Sequence, residues 1–166
     1  MRKQTFCGLL LCVALAFCLA ITPSANAASV EEEALQVAAN FSKAFSTSDF
    51  ELMSSLHWHS PKLTKFTPSK SGAFLIQGWE AVAEDWKQEV FNSSYPKGTF
   101  EMSNHNPQVT MLGDNIAVIT LYQITTSNPP VTTEQTVEQH RQTLIVQKIG
   151  EKWLIVHEHV SMLPIE

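Results

Sequence analysis

Positive charge is scarce in this chain, and what there is lies scattered. Eleven lysines and arginines stand against sixteen acids over 166 residues, a formal charge of −5. No basic stripe forms, which argues against nucleic acid as a partner, since phosphate contact needs clustered cations. Cysteine is just as thin: Cys7, Cys12 and Cys18 are the only three. Beyond Cys18 there is no thiol nucleophile, no disulfide and no thiolate metal site. Internal repeats and low-complexity stretches are also missing, which excludes solenoids and disordered tails. What is present is a composition 44% hydrophobic and 16% charged. That is enough to bury a core, and at roughly 150 residues per domain the length fits one.

The first 27 residues read as an address. Arg2 and Lys3 precede an apolar run from Phe6 to Ile21, and Ala25-Asn26-Ala27 closes it with small residues. This layout predicts a secretory signal peptide over 1–27, cut between Ala27 and Ala28. A membrane anchor is the competing reading, but the apolar run falls short of the ~20 residues that span a bilayer. A lipoprotein is a third option, with Leu15-Ala16-Phe17-Cys18 as its lipobox, although bulky Phe17 sits where a small residue is wanted. Cleavage would leave a single domain over 28–166, periplasmic or extracellular and free of the membrane. Losing Arg2 and Lys3 leaves nine bases against sixteen acids, −7, and Arg141 as the one arginine.

Helices come first, then long strands. Ser29-Val30-Glu31-Glu32 is a capping box, and Ala34, Val37, Ala38, Phe41 and Phe45 recur at helical spacing to about Ser46. Ser48-Asp49-Phe50-Glu51 repeats the signature and starts a short helix through Leu56. Pro61, Pro68 and Gly72 predict one irregular strand and a loop over 57–77. Trp79, Val82, Ala83, Trp86 and Val90 mark a third helix after Gly78, and Asn92 to Gly98 is a polar break. Beyond it, Gly113-Asp114, Asn128-Pro129-Pro130 and Gly150-Glu151 separate four long strands. The expected class is α+β, with three N-terminal helices packed in the concave face of a curved, mostly antiparallel sheet.

Certain stretches carry a resemblance. Phe45-Ser46-Thr47-Ser48-Asp49-Phe50 resembles the turn between the first two helices of the nuclear transport factor 2-like superfamily, which includes ketosteroid isomerase and SnoaL-like cyclases. Asn106-Pro107-Gln108-Val109 with Gly113-Asp114, Tyr122 to Thr125, Arg141-Gln142-Thr143, Lys152-Trp153, His157-Glu158-His159 and Ser161 resemble the association domain of calcium/calmodulin-dependent kinase II and its bacterial relatives. The resemblance runs from about Ser29 to Pro164 and implies a cone-shaped fold. Isomerase-like members hold an apolar ligand in the cone and use a carboxylate base with oxyanion donors. Association-domain members assemble into dimers and rings, and their pocket arginines receive anions. Neither residue set is intact. Phe41 stands where the isomerase has its tyrosine, Lys65 where it has its base, and Thr143 near its protonated acid. Gln123, Leu144 and Val160 replace the association-domain arginines.

Strand geometry gives a provisional pocket. If Gly150-Glu151 is a two-residue turn, Ile149 faces Lys152. Arg141, Thr143, Ile145 and Gln147 then share a face with Leu154, Val156, Glu158 and Val160. The resemblance turns that set toward the helices. The other face carries His140, Leu144 and Val146 with Trp153, Ile155, His157, His159 and Ser161. A single bulge would exchange the sets. Arg141 with Glu158 reads either as an anion receptor or as a structural ion pair. Gln123, Thr143, Phe41, Trp58 and Trp86 complete the candidate ligand wall, with Trp58 or Trp86 closing the mouth.

His57-Trp58-His59 and His157-Glu158-His159 each space two imidazoles for a metal, but no third-ligand motif accompanies them. No cofactor motif is present. His157 and His159 are expected to pack with Trp153 at a subunit interface. The outer face, carrying Trp153, Ile155 and Leu144, would then need covering by a second copy in a homodimer or higher even oligomer. The leading expectation is a secreted, self-associating domain that binds a small, partly apolar, anionic molecule. An isomerase, cyclase or dehydratase using Glu158, His59 or Lys65 as acid or base is the alternative, and a purely structural oligomerisation module the third.

Overall fold

The computed structural model describes residues 29–67, 75–130 and 132–162. The expected signal peptide and its cleavage point lie outside the described residues. Helix α1, Val30–Thr47, starts at the expected capping box. The Glu32 N–H donates to Ser29 Oγ at 3.2 Å, and the Ser29 N–H donates to Glu32 Oε2 at 2.7 Å. Glu31, Glu32 and Glu33 place negative charge at the positive end of the helix. Its apolar stripe buries Ala34, Val37, Ala38, Phe41, Ala44 and Phe45. Ser48 leaves the helix in the left-handed region, and Asp49 caps α2, Phe50–Leu56, by accepting from the Leu52 N–H at 2.9 Å.

Residues 57–77 hold two short strands rather than the single one expected. β1, Thr64–Phe66, pairs antiparallel with β2, Leu75–Gln77. Three-residue strands are too brief to show a period of two, so the sequence conceals the second. Gly78, at φ 88, then turns the chain into α3, Trp79–Glu89. Four long strands follow: β3, Phe100–Met111; β4, Ile116–Ser127; β5, Thr136–Ile149; and β6, Lys152–Met162. The sheet order is β2-β1-β6-β5-β4-β3, antiparallel except where β1 runs parallel to β6. The result is the expected α+β arrangement, three helices against one mostly antiparallel sheet.

One extra residue decides which side chains face the helices. Ile149 opposes Lys152 as expected, and that register persists to Val146 opposite Ile155. The next pair is Ile145 with His157, so Val156 is bulged out and the pairing slips by one. A slip of one residue exchanges the faces. Leu144, Val146, Trp153 and Ile155 face the core, at 0%, 0%, 7% and 0% exposure, and beyond the slip Glu158 rather than His157 joins their side. They were expected outside. Trp153 packs inward and donates Nε1–H to Glu33 Oε2 at 3.2 Å, so it does not join His157 and His159 at an outer surface. Lys148 donates to the same oxygen at 3.1 Å. Its hydrogen bond, followed by that from Trp153, holds the Glu33 carboxyl below its ordinary value of 4.5.

Candidate functional site

Every layer of the fold sends side chains into one hollow between the helices and the sheet. α1 contributes Phe41 and Phe45, β1 Lys65, α3 Asp85 and Trp86, β4 Gln123, β5 His140 and Gln142, and β6 Glu158. The hollow has a volume of about 510 Å³, within the range of small-molecule sites. Its apolar wall is a run of edge-to-face rings: Phe41 and Phe45 lie 5.6 and 6.2 Å from Trp86, and Phe100 lies 5.6 Å from Phe45.

Two of the charged groups lining the hollow are almost fully buried. Lys65 alternates inward from β1, is 3% exposed, and donates from Nζ to Asp85 Oδ2 at 2.8 Å. The same ammonium lies 3.4 Å from the centroid of the Trp86 ring, a cation–π contact. Glu158, the β6 neighbour of Lys65 in the parallel register, is 1% exposed. Its Oε1 accepts a long hydrogen bond from Gln142 Nε2 at 3.4 Å. Behind it, buried His57 has Nδ1 2.8 Å from the Met53 carbonyl oxygen, which places the ring proton on Nδ1. His57 Nε2 then faces Glu158 Oε2 at 3.7 Å, beyond hydrogen-bond range.

A second polar group on the wall is fully paired. Ser42 Oγ and Gln123 Nε2 both donate to Asn104 Oδ1, at 2.7 and 3.3 Å, and Asn104 Nδ2 donates to the Ala38 carbonyl at 2.9 Å. By contrast, five buried side-chain polar atoms among the described residues have no partner: His57 Nε2, Trp86 Nε1, His140 Nδ1, Gln142 Oε1 and Glu158 Oε2. Four belong to residues lining the hollow, and the fifth stands directly behind Glu158. Each such atom costs about 1–3 kcal/mol unless something completes it. Burial pushes the His140 imidazole below its ordinary value of 6.5, with the Glu138 carboxylate pulling the other way. Burial also lowers His157, followed by the charge of His159, against the opposing pull of Glu158.

The structure brings together Phe41, Lys65, Trp86, Gln123 and Glu158 from the expected set. It separates the others. Arg141 is exposed on the convex face, opposite Tyr122 and Ser161, because β5 alternates with Gln142, Leu144 and Val146 inward, and no Arg141–Glu158 pair exists. Thr143 is half-buried on that same convex face. Trp58 is half-buried outside the hollow's lining, its N–H bonded to the Ile155 carbonyl. His59 is exposed, stacked 4.2 Å from Trp79 and bonded to the Ser54 carbonyl at 2.9 Å.

The paired imidazoles do not converge. His57 turns inward while His59 turns to Trp79, and His157 and His159 flank Phe66 on the convex face, each ring 5.9 Å away. His157 Nδ1 lies 2.7 Å from Thr64 Oγ1. Among the described residues, no three histidines, cysteines or acids gather around a common point. Asp85, Gln142 and His140 were missed. His140 and Gln142 share the face of Leu144 and Val146, so the apolar alternation of β5 is the signal for them, whereas Asp85 follows from its place one residue before Trp86 once Lys65 is turned inward.

The charge of the lining also differs from expectation. Asp85, Glu89, Glu138 and Glu158 stand against Lys65 alone, and Arg141 lies elsewhere, so the field inside disfavours an anion.

Comparison with known proteins gives the family. Residues 34–166 match the SnoaL-like domain model. No curated protein matches the chain. Among solved structures, a nuclear transport factor 2-like superfamily protein from Salmonella enterica is 20% identical, with a TM-score of 0.70 over 82% of this chain and 92% of that one. The CaMKII hub of S. rosetta is also 20% identical, with a TM-score of 0.66 over 82% of this chain and 99% of the hub. The association domain of C. elegans CaMKII is 23% identical, with a TM-score of 0.61 over 76% of this chain and 91% of that domain. At these identities the likeness is one of fold. With the family model spanning most of its length, this chain belongs to the SnoaL-like domain family.

Proposed function

We propose that this chain is a secreted SnoaL-like domain that self-associates and holds a small, partly apolar molecule in its cone. The carrying observation is the cluster of unpartnered buried polar atoms around one hollow, opposite an aromatic wall. A purely structural module would gain by filling that space with apolar side chains, because unsatisfied polar groups destabilise a core. Self-association is supported by the likeness to hub and association domains. It is supported too by the convex face, where Tyr122, Val137 and Phe66 are 48%, 56% and 40% exposed. Half-buried Val118 and Ile145 lie opposite each other on that face. Secretion rests on the layout of residues 1–27.

An acid/base enzyme is the second reading. It is favoured by Glu158 and His57, a carboxylate and an imidazole buried side by side, with Glu158 among the residues lining the hollow. In that reading Glu158 touches substrate and His57 positions it, with Lys65 held to Asp85. Native mass spectrometry on protein taken undenatured from its own secretory compartment tests the leading reading. An organic mass retained on an even-numbered oligomer is the expected result. A bare monomer contradicts it, and a bare oligomer leaves self-association alone standing.

A further inference from the structure

The hollow's unmet groups say what kind of molecule would complete it. The following rests on the proposal that the cone holds a ligand, and names its chemical class. Glu158 and Gln142 stand side by side, with Gln142 Nε2 donating to Glu158 Oε1 at 3.4 Å, and each keeps a further buried oxygen, Glu158 Oε2 and Gln142 Oε1. Both are pure acceptors, and both lack a donor. His57 cannot supply one: its Nδ1 proton goes to Met53 and its Nε2 stands beyond hydrogen-bond range. What is missing is therefore a group with at least two hydrogens to give.

Charge narrows the choice further. Lys65 is neutralised by Asp85, so Glu89, Glu138 and Glu158 leave the lining with an excess of negative charge. An aromatic wall beside an unpaired carboxylate suits an organic cation. The fold already holds one ammonium this way, with Lys65 Nζ against the Trp86 face and a carboxylate. Trp86 Nε1–H is an unmet donor and calls for an oxygen elsewhere on the same ligand. The geometry points to a small primary amine on an apolar body, its ammonium donating to Glu158 Oε2 and Gln142 Oε1, as the class of ligand this cone takes.

Isothermal titration at neutral pH with three probes on one body tests this: phenethylamine, phenethyl alcohol and hydrocinnamate. The amine is expected to bind about tenfold tighter than the alcohol, the scale of a charge-assisted hydrogen bond in a buried site, with hydrocinnamate weakest. Glu158→Gln keeps the shape and removes the charge, so it should erase the preference for the amine while leaving circular dichroism unchanged. Should that variant fail to fold, Gln142→Leu carries the test and should weaken the amine severalfold. Alcohol binding as tight as the amine, hydrocinnamate binding tightest, or an amine affinity untouched by Glu158→Gln overturns the inference. If no amine binds while the native protein retains an uncharged or anionic molecule, the amine inference fails and the cavity reading stands. If neither binding nor retention is seen, both fail.

Discussion

Leu144→Ala is expected to lower the unfolding free energy by about 2–5 kcal/mol, while Arg141→Ala, three residues away on the same strand, is expected to shift it by no more than about 0.5 kcal/mol. The contrast follows from the alternation of β5, which turns Leu144 inward and Arg141 outward. Leu144 is fully enclosed in the core, and truncating it removes buried methyl groups and leaves a void the packed neighbours cannot fill. Arg141 projects from the convex face beside Tyr122, where solvent replaces whatever its stem covers. Had the β5–β6 pairing kept a single register to its end, His157 rather than Glu158 would share the side of Leu144. Urea titrations of the two variants decide which face of β5 is buried. A large loss in Arg141→Ala beside a small one in Leu144→Ala would contradict this facing.

Asp85→Ala is expected to destabilise the protein by about 3–5 kcal/mol, because it leaves a buried ammonium without its counter-ion. Lys65 is 3% exposed and has Asp85 as its only carboxylate partner within 4.0 Å among the described residues. The Trp86 face stabilises the cation in part, but a ring quadrupole is worth only about 0.5–2 kcal/mol. Replacing both members, as Lys65→Met with Asp85→Leu, removes the stranded charge together with its partner. The double variant is therefore expected to recover most of the loss. Thermal denaturation of the two singles and the double closes the cycle. Losses that simply add would show that the two residues do not act as a pair.

Much of the architecture could be read from local chemistry. The Ser29 and Asp49 caps, the stripe from Ala34 to Phe45 and the Gly150-Glu151 turn are each set by neighbours within a few residues, and each stands where expected. The long strands were legible because their alternation runs for ten residues or more. What failed was non-local. A β-bulge is chosen by how two strands fit the core, and nothing in Val156 itself announces it. The alternation of β5 runs opposite in phase to the one expected, which puts Arg141 and Thr143 outside and Gln142 and Leu144 inside, and the bulge brings Glu158 to their side. Glu158 kept its place because it lies beyond the slip. Phe41, Lys65 and Gln123 were placed by the superfamily resemblance, which carries position but not chemistry. The partner of Lys65 comes from a different helix, twenty residues on, and appears only when α3 closes over β1.

On the proposed function the cone holds a small molecule. A crystal structure of the protein isolated undenatured tests this most directly. An ordered organic molecule is expected against the Phe41–Trp86 wall, within hydrogen-bond distance of Glu158 Oε2 and of at least one of Gln142 Oε1 and Trp86 Nε1. A hollow closed by repacked side chains, with those same atoms bonded to one another or to isolated waters, would contradict it.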